Sequence, residues 1–277
     1  MLATAVGPYA RYGLPVVEAC ARAGTHHADL TGEVLFVRAA IDRCDALARE
    51  TGARLVHSCG YDSIPSDLGT LLLHQRAAED DAGALEEAEL LASARGSFSG
   101  GTVASLLGQL ETVVGDHELR RIAADPHALS PDRAAEPAKA QPADAARPSR
   151  RPDGTWVAPF VMAPFNTRIV RRSNALQAWA YGRGLRYGEV MACGRGPAGA
   201  AVAAGVTAGL ATFVGTVTLP PTRALLSACC PPRAPGRASA RARRAGSGPS
   251  STAGRSGVAA TPSRSPAGAT PVTRARR

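Results

Sequence analysis

The stretch His57-Ser58-Cys59-Gly60-Tyr61-Asp62-Ser63-Ile64-Pro65-Ser66-Asp67-Leu68-Gly69 lies between two short apolar runs, Ala53 to Val56 and Leu71 to Leu73. The first run predicts a strand over Ala53 to Ser58. The second belongs to a helix over Ile64 to Ala78, with Ser63 as its N-cap and Pro65 and Asp67 in its first turn. A strand that ends in a turn dense in His, Cys, Gly, Asp and Ser, before a helix begins, is a ligand position in open α/β sheets. Such loops face the crevice at the strand C-termini.

Working outward, Tyr12 to Ala23 reads as a helix with Leu14, Val17 and Ala21 on one stripe and Gly24 as its stop, and His26 to Leu30 as a short strand. A second helix begins at Glu33: Val34, Val37, Ile41, Cys44 and Ala48 recur at helical spacing, Glu33 sits where the dipole favours an anion, and Gly52 ends it. This alternation predicts an α/β fold in which residues 1–82 form part of a Rossmann-like, doubly wound parallel sheet. Beyond it we expect a strand over Ala88 to Ala94, a Gly-rich turn at Ser99-Gly100-Gly101-Thr102 and a helix over Val103 to Val114. Residues 125–153 lack periodicity and read as a mobile surface loop. Strands are expected over Trp156 to Met162 and Leu185 to Cys193, with Asn166 to Asn174 helical or irregular between them. Residues 83–226 are therefore expected to form a second, α+β domain for substrate.

Of the 277 residues, 45% are apolar, enough for a core, and only 4% are aromatic. The net charge of +9 is a property of the tail. Ala228 to Arg277 holds ten Arg and no acid, leaving 22 basic against 23 acidic residues before it. No specific nucleic-acid binding is expected of so neutral a body. A tail without Leu, Ile, Phe, Tyr or Trp cannot bury a core, so 227–277 is expected to be a disordered basic tail. Arg, Ala, Pro, Gly and Ser enrichment with loss of all acids is also what GC-rich DNA yields out of frame, and we read the tail so. The six cysteines show no metal-ligand spacing and point to reduced thiols in the cytoplasm, and Met1 to Val6 lacks the features of a signal peptide. Ala198 to Leu219 carries no ionisable residue, but its apolar content is mostly Ala and Gly. A buried helix, an interfacial hairpin and a membrane span are all open readings.

Each candidate constellation has a plain structural reading beside the functional one. Gly194-x-Gly196-x-x-Gly199 matches the dinucleotide fingerprint, yet no acid follows Glu189 to hold a ribose hydroxyl, and we read it as a chance match. His57, Cys59 and Asp62 could form a nucleophile with its base, although an inert thiol, a turn-forming Asp62 and a capping Ser63 account for the same residue types. Ser99 to Thr102 offers backbone N–H groups to an anion or is an ordinary helix entry. Arg168, Arg171 and Arg172 share a face if their segment is helical, and form either an acidic-ligand site or a solvated surface.

Three sets of residues together resemble the saccharopine dehydrogenase-like oxidoreductases: Val6 to Gly13 with Ala23 to Glu33 (AGTHHADLTGE), the His57 to Gly69 motif, and Ser99 to Thr102. With Asn166 to Leu176 and Tyr187 to Met191 the sequence is similar, over about Ala5 to Leu226, to the bacterial trans-acting enoyl reductases. That resemblance implies a Rossmann domain binding NADPH, or less often NADH. It also implies reduction of a carbon–carbon double bond in a polyketide-derived lipid whose acyl chain is held on the carrier domain of a separate polyketide synthase. By position, Gly7, Pro8 and Tyr9 would follow a strand beside the dinucleotide, and Gly60, Tyr61, Asp62 and Pro65 would lie near the nicotinamide, with Tyr61 or His57 as proton donor. The arginine cluster would face the acidic carrier. The apolar segment 198–219 would touch lipid, peripheral to the inner face of the plasma membrane. Members of the family begin with a strand and a Gly-rich loop of the form GATGFTG, which does not precede Val6 here, and they continue with mixed charge where this chain has its tail. The expectation is a fragment of such a reductase. Its alternative is a catalytically inactive, membrane- or carrier-associated module.

Overall fold

Three short parallel strands, β1 (Leu2–Thr4), β2 (His27–Asp29) and β3 (Leu55–Val56), lie in that order in the first sheet of the computed structural model. The structure describes residues 1–93, 115–138, 140–218 and 270–273. The expected Ser99 to Thr102 turn and Val103 to Val114 helix lie outside the described residues, as does the tail apart from residues 270–273.

Helices α1 (Tyr9–Arg22) and α2 (Val34–Thr51) connect the strands. Because the strand order does not reverse, right-handed crossovers put both helices on one face, where they pack on each other. Gly13 lets them close: a Cβ there would lie 2.6 Å from the Phe36 ring. Val17, Ala21, Val37, Ala40 and Cys44 fill the seam. Helix α2 stops at Gly52, whose φ of 73° is the left-handed conformation that glycine adopts without strain. Glu33 does not serve its own helix in the way expected. Its carboxylate accepts the N–H groups of Tyr9 (3.0 Å) and Ala10 (2.7 Å), so it caps α1 across the sheet edge.

Helix α3 (Ile64–Glu79) follows the motif. The second sheet has the order β5-β6-β7-β4-β8. Its strands are β4 (Glu87–Ala92), β5 (Ser149–Arg150), β6 (Thr155–Pro159), β7 (Arg186–Arg195) and β8 (Thr270–Thr273). Strand β7 is parallel to β4 and antiparallel to β6, which makes the sheet mixed. Strand β8, antiparallel to β4, is a piece of the tail for which no structure was expected. Main-chain pairing at a sheet edge requires no apolar side chains, which is what the composition argument had weighed.

Between the sheets lies α5 (Ala163–Leu176), with α4 (His117–Ala124) preceding it. Phe165 and Ile169 of α5 join the α1/α2 core, and Val170 joins a second cluster with Leu85, Leu90, Tyr181 and Tyr187. The arginines of α5 are not a solvated face. Arg168 and Arg171 are buried, and they bond main-chain carbonyls: Arg168 to Ala123 (3.0 Å), Arg171 to Pro126 (3.3 Å) and Tyr187 (3.0 Å). Arg172 adds Leu129 (2.7 Å). The start of the segment expected to be a surface loop over 125–153 is thereby drawn inward, with Ala128 and Leu129 fully buried, while residues 131–134 and 147–150 are exposed. Aperiodic sequence lacks secondary structure, but guanidinium groups can satisfy its carbonyls in the interior.

Helix α6 (Gly196–Thr218) starts at the end of β7 and covers the expected apolar segment from Ala198 to Thr218; Leu219 lies outside the described residues. The fingerprint glycines have a packing role here: a Cβ on Gly199 would lie 2.5 Å from the Gly194 carbonyl, so the turn closes only with glycine. Among the described helices, α6 is long and apolar enough to cross a membrane, with a mean hydropathy of 1.6 over Gly196–Thr216, and most of it is exposed.

Replacing Glu33 by Ala leaves two N–H donors of α1 without their carboxylate. The expected loss is about 3 kcal/mol of stability, read as a lower urea midpoint at unchanged slope. An unchanged midpoint would show that the cap across the sheet edge does not hold α1.

Candidate functional site

The loops after β1, β2 and β3 emerge at one edge of the first sheet, because the strands are parallel. This brings Gly7, Pro8 and Tyr9, then Leu30 to Glu33, then His57 to Pro65 to the same side. Tyr9 ties the first two loops together: its hydroxyl donates to the Thr4 carbonyl and accepts the Leu30 N–H, both at 3.2 Å. The third loop is tied to the second by the Cys59 N–H, which donates to the Asp29 carbonyl at 2.7 Å.

Asp29 is the electrostatic centre of this edge, and residue types alone did not single it out. Its buried carboxylate meets four nitrogens, two backbone N–H groups and two imidazole rings. Oδ1 takes the backbone N–H of Thr31 and of Ser58, each at 3.1 Å. Oδ2 lies 3.1 Å from His27 Nε2 and 2.6 Å from His57 Nδ1. Burial by itself pushes the carboxyl up. The bonds from His27 and His57 more than reverse this and hold it well below the usual carboxylate range. The sequence signal available was the His27-x-Asp29 spacing, since residues two apart on a strand share a face.

The other motif residues are placed as follows. Tyr61 is 69% exposed and Asp62 is also at the surface. Gly60 is buried against Leu30, and Pro65 sits in the first turn of α3. Cys59 is not an activated thiol: burial, then the charge of Asp29, pushes it up, and His57 is turned to Asp29 instead. Ser63 occupies the N-cap position of α3 without capping it. Its hydroxyl donates to Asn166 Oδ1 at 2.9 Å.

Asn166 is fully buried and joins the motif to the second sheet. Its Nδ2 reaches the Asp62 carbonyl (2.8 Å), Ser66 Oγ (3.2 Å) and Glu189 Oε2 (3.1 Å). Tyr187 donates to the other oxygen of Glu189 at 2.8 Å. Burial raises the Glu189 carboxyl to about 7, opposed by its hydrogen bonds, and burial together with Glu189 lifts the Tyr187 phenol above its ordinary range. Beside this cluster an apolar groove of about 270 Å³ runs between α3 and β4, lined by Ile64, Leu68, Leu72, Leu90 and Tyr187.

With a folded-state pKa near 7 against an unfolded value of 4.5, the folded chain holds the Glu189 proton more tightly than the unfolded chain does. The stabilisation is complete below about pH 4.5 and is lost as the pH rises through 7. The loss expected between pH 5 and pH 8 is on the order of 3 kcal/mol. The Glu189→Gln variant, compared with wild type by urea unfolding across this range, should flatten the dependence. Parallel pH profiles for the two proteins would contradict the assignment.

No family model and no solved structure matches the chain. Curated proteins do match it. The chain is 54% identical over 202 residues to a protein of Mycobacterium tuberculosis provisionally named a trans-acting enoyl reductase, a match covering 70% of this chain and 48% of that protein. It is 50% identical over 219 residues to the trans-acting enoyl reductase of Mycobacterium bovis, covering 76% and 52%. Against that of Mycobacterium ulcerans it is 49% identical over 222 residues, covering 78% and 53%. The chain spans about half the length of the curated relatives it matches. In sequence, the protein is a close relative of the bacterial trans-acting enoyl reductases.

Proposed function

We propose that the protein acts in the reduction of a carbon–carbon double bond of a lipid-like acyl chain, with a reduced nicotinamide dinucleotide as the hydride source. The observation that carries the reading is the 49–54% identity to trans-acting enoyl reductases. The wider saccharopine dehydrogenase-like grouping and an acyl chain presented by a polyketide synthase carrier are parts of the same proposal.

The residues present fit the nicotinamide end of such a cofactor. Leu30, Val56 and Tyr61 are exposed apolar side chains at the strand edge, beside the largely buried His57 and the close-packed Gly60. A planar ring can lie on such a surface with a polar group at its rim. The pyrophosphate end is different. In a dinucleotide fold it rests on free N–H groups at a helix N-terminus. At α1 those of Tyr9 and Ala10 are occupied by the Glu33 carboxylate. When bound, the nicotinamide supplies a hydride, and the chain's own residues supply its seat, the exclusion of water and a proton. The groove between α3 and β4 opens from the same motif and has the apolar lining that an acyl chain requires.

We place membrane contact, also a proposal, on the exposed α6. Its apolar surface is supported by the ten arginines of Ala228 to Arg277, which would favour anionic lipid headgroups.

Fluorescence titration tests the cofactor reading. Reduced nicotinamide dinucleotide and reduced nicotinamide mononucleotide should both bind saturably, with affinities within about threefold of each other because the pyrophosphate gains little at α1. Absence of saturable binding by either would overturn the proposal. For the groove, Leu72→Asp should weaken binding of a fluorescent fatty acyl probe about tenfold at unchanged melting temperature. Unchanged acyl affinity would remove the groove from the site.

A further inference from the structure

We propose that His57 is the proton carrier of this site, held by Asp29 as the tautomer that carries its proton on Nδ1 and leaves Nε2 open for transfer; the identity of the proton acceptor rests on the enoyl reductase reading above.

The geometry of Asp29 dictates the tautomer. An ionised carboxylate only accepts hydrogen bonds, so both imidazoles that meet Oδ2 must present N–H. His57 therefore carries a proton on Nδ1, 2.6 Å from Oδ2, and His27 carries one on Nε2, at 3.1 Å. His27 Nδ1 is buried without a partner, which suits a bare lone pair better than an N–H. The His57 ring cannot easily turn away. It stands edge-on to Phe36, with centroids 5.4 Å apart and an interplanar angle of 81°, and to His27 at 6.0 Å and 61°. Its Nε2 is left as the variable position, a lone pair in the neutral ring and an N–H in the imidazolium. Among the described residues none bonds to it.

The other candidates along this edge are spoken for. The Tyr9 hydroxyl is committed to Thr4 and Leu30. Cys59 is held as a thiol. Tyr61 is 69% exposed, with no described residue to orient it. The same three side chains, His27, Asp29 and His57, also have the composition of a cation site, with donor atoms within 4.8 Å of one another. Two features favour the hydrogen-bonded arrangement. A separation of 2.6 Å is too short for two ligands of one zinc ion, each about 2 Å from it. A metal on His27 Nε2 would also force a proton onto the unpartnered Nδ1.

In the proposed step His57 gives a proton to one carbon of the double bond, the other carbon being the one to which a bound reduced nicotinamide would supply its hydride, itself becoming oxidised. The Nε2–H bond breaks, a C–H bond forms, and the electron pair of the broken bond stays on Nε2. Water then returns a proton to the ring. Asp29 touches no reacting atom; it is a positioning residue that fixes the orientation and the tautomer of the ring.

The test is the tautomer itself, read from long-range proton–nitrogen spectra of the whole chain labelled in its imidazole nitrogens, at pH 9, with His57 assigned by its loss in His57→Gln. The expected result is a protonated Nδ1 and a bare Nε2 on His57 in the wild type, moving at least about tenfold toward Nε2–H in Asp29→Asn. A wild-type His57 protonated on Nε2 would overturn the proposal, and this holds even if Asp29→Asn fails to fold. So would a joint shift of the His27 and His57 signals on adding one equivalent of zinc, which would assign the cluster to a cation. With an enoyl thioester and saturating reduced nicotinamide, His57→Gln should lower turnover about 100-fold. Turnover retained in that variant would refute the role of His57. Failure of the wild type to bind the nucleotide would count against the enoyl reductase reading alone, because the tautomer is measured without it.

Discussion

A fully buried amide cannot be left with unmade hydrogen bonds, and the arrangement around Asn166 follows from that constraint. Its oxygen accepts from Ser63, and its nitrogen reaches Asp62, Ser66 and Glu189. These partners belong to the motif, the first turn of α3 and the second sheet. To satisfy the one amide, the loop after β3 must lie against α5, and β7 must come up behind it. The apolar surfaces of α5 join two core clusters, but apolar contact is non-directional and tolerates sliding. The directional bonds of Asn166 set the register.

The same logic repeats at smaller scale along the sheet edge. Asp29 gathers four nitrogens, two from backbone and two from imidazoles, and so joins the loops after β2 and β3. Glu33 gathers two N–H groups from α1 and joins the loops after β1 and β2. Both carboxylates act on neighbouring loops. The consequence for function is opposite in the two cases. Asp29 leaves one ring nitrogen of His57 open, whereas Glu33 closes the helix end at which an anion would otherwise rest.

Buried arginines complete the interior in the same manner. Arg168 is directed at the Ala123 carbonyl in the last turn of α4, and Arg171 and Arg172 at carbonyls of the segment that follows, which has little secondary structure of its own. For Arg171, burial and then the neighbouring Arg168 lower the pKa to about 10, a measure of what placing it there costs. Its five donors make such a placement workable, since they can be satisfied by the Pro126 and Tyr187 carbonyls and the Gln141 side chain.

The helix–strand alternation of residues 1–82, the position of the motif after a strand, and α3 with Pro65 in its first turn were all legible in the amino-acid order. So was the α/β class. These depend on local periodicity and on residues such as Gly52 that stop a helix wherever they stand. What the order of residues did not disclose was where the polar side chains would point. Ser63 reads as a cap and Glu33 as a dipole partner of its own helix; three arginines at helical spacing read as surface. Each assignment was the local option, and each lost to a partner distant in sequence, Asn166 for Ser63, the α1 N-terminus for Glu33, main-chain carbonyls for the arginines. The pairing of His57 with Asp29, 28 residues earlier, belongs to the same class. Sequence alone determined the run of helices and strands from α1 to β4 and the family resemblance, because both are carried by neighbouring residues. Only the tertiary structure decided which hydrogen-bonding groups meet, because burial compels each to find a partner and the fold determines which partners are within reach.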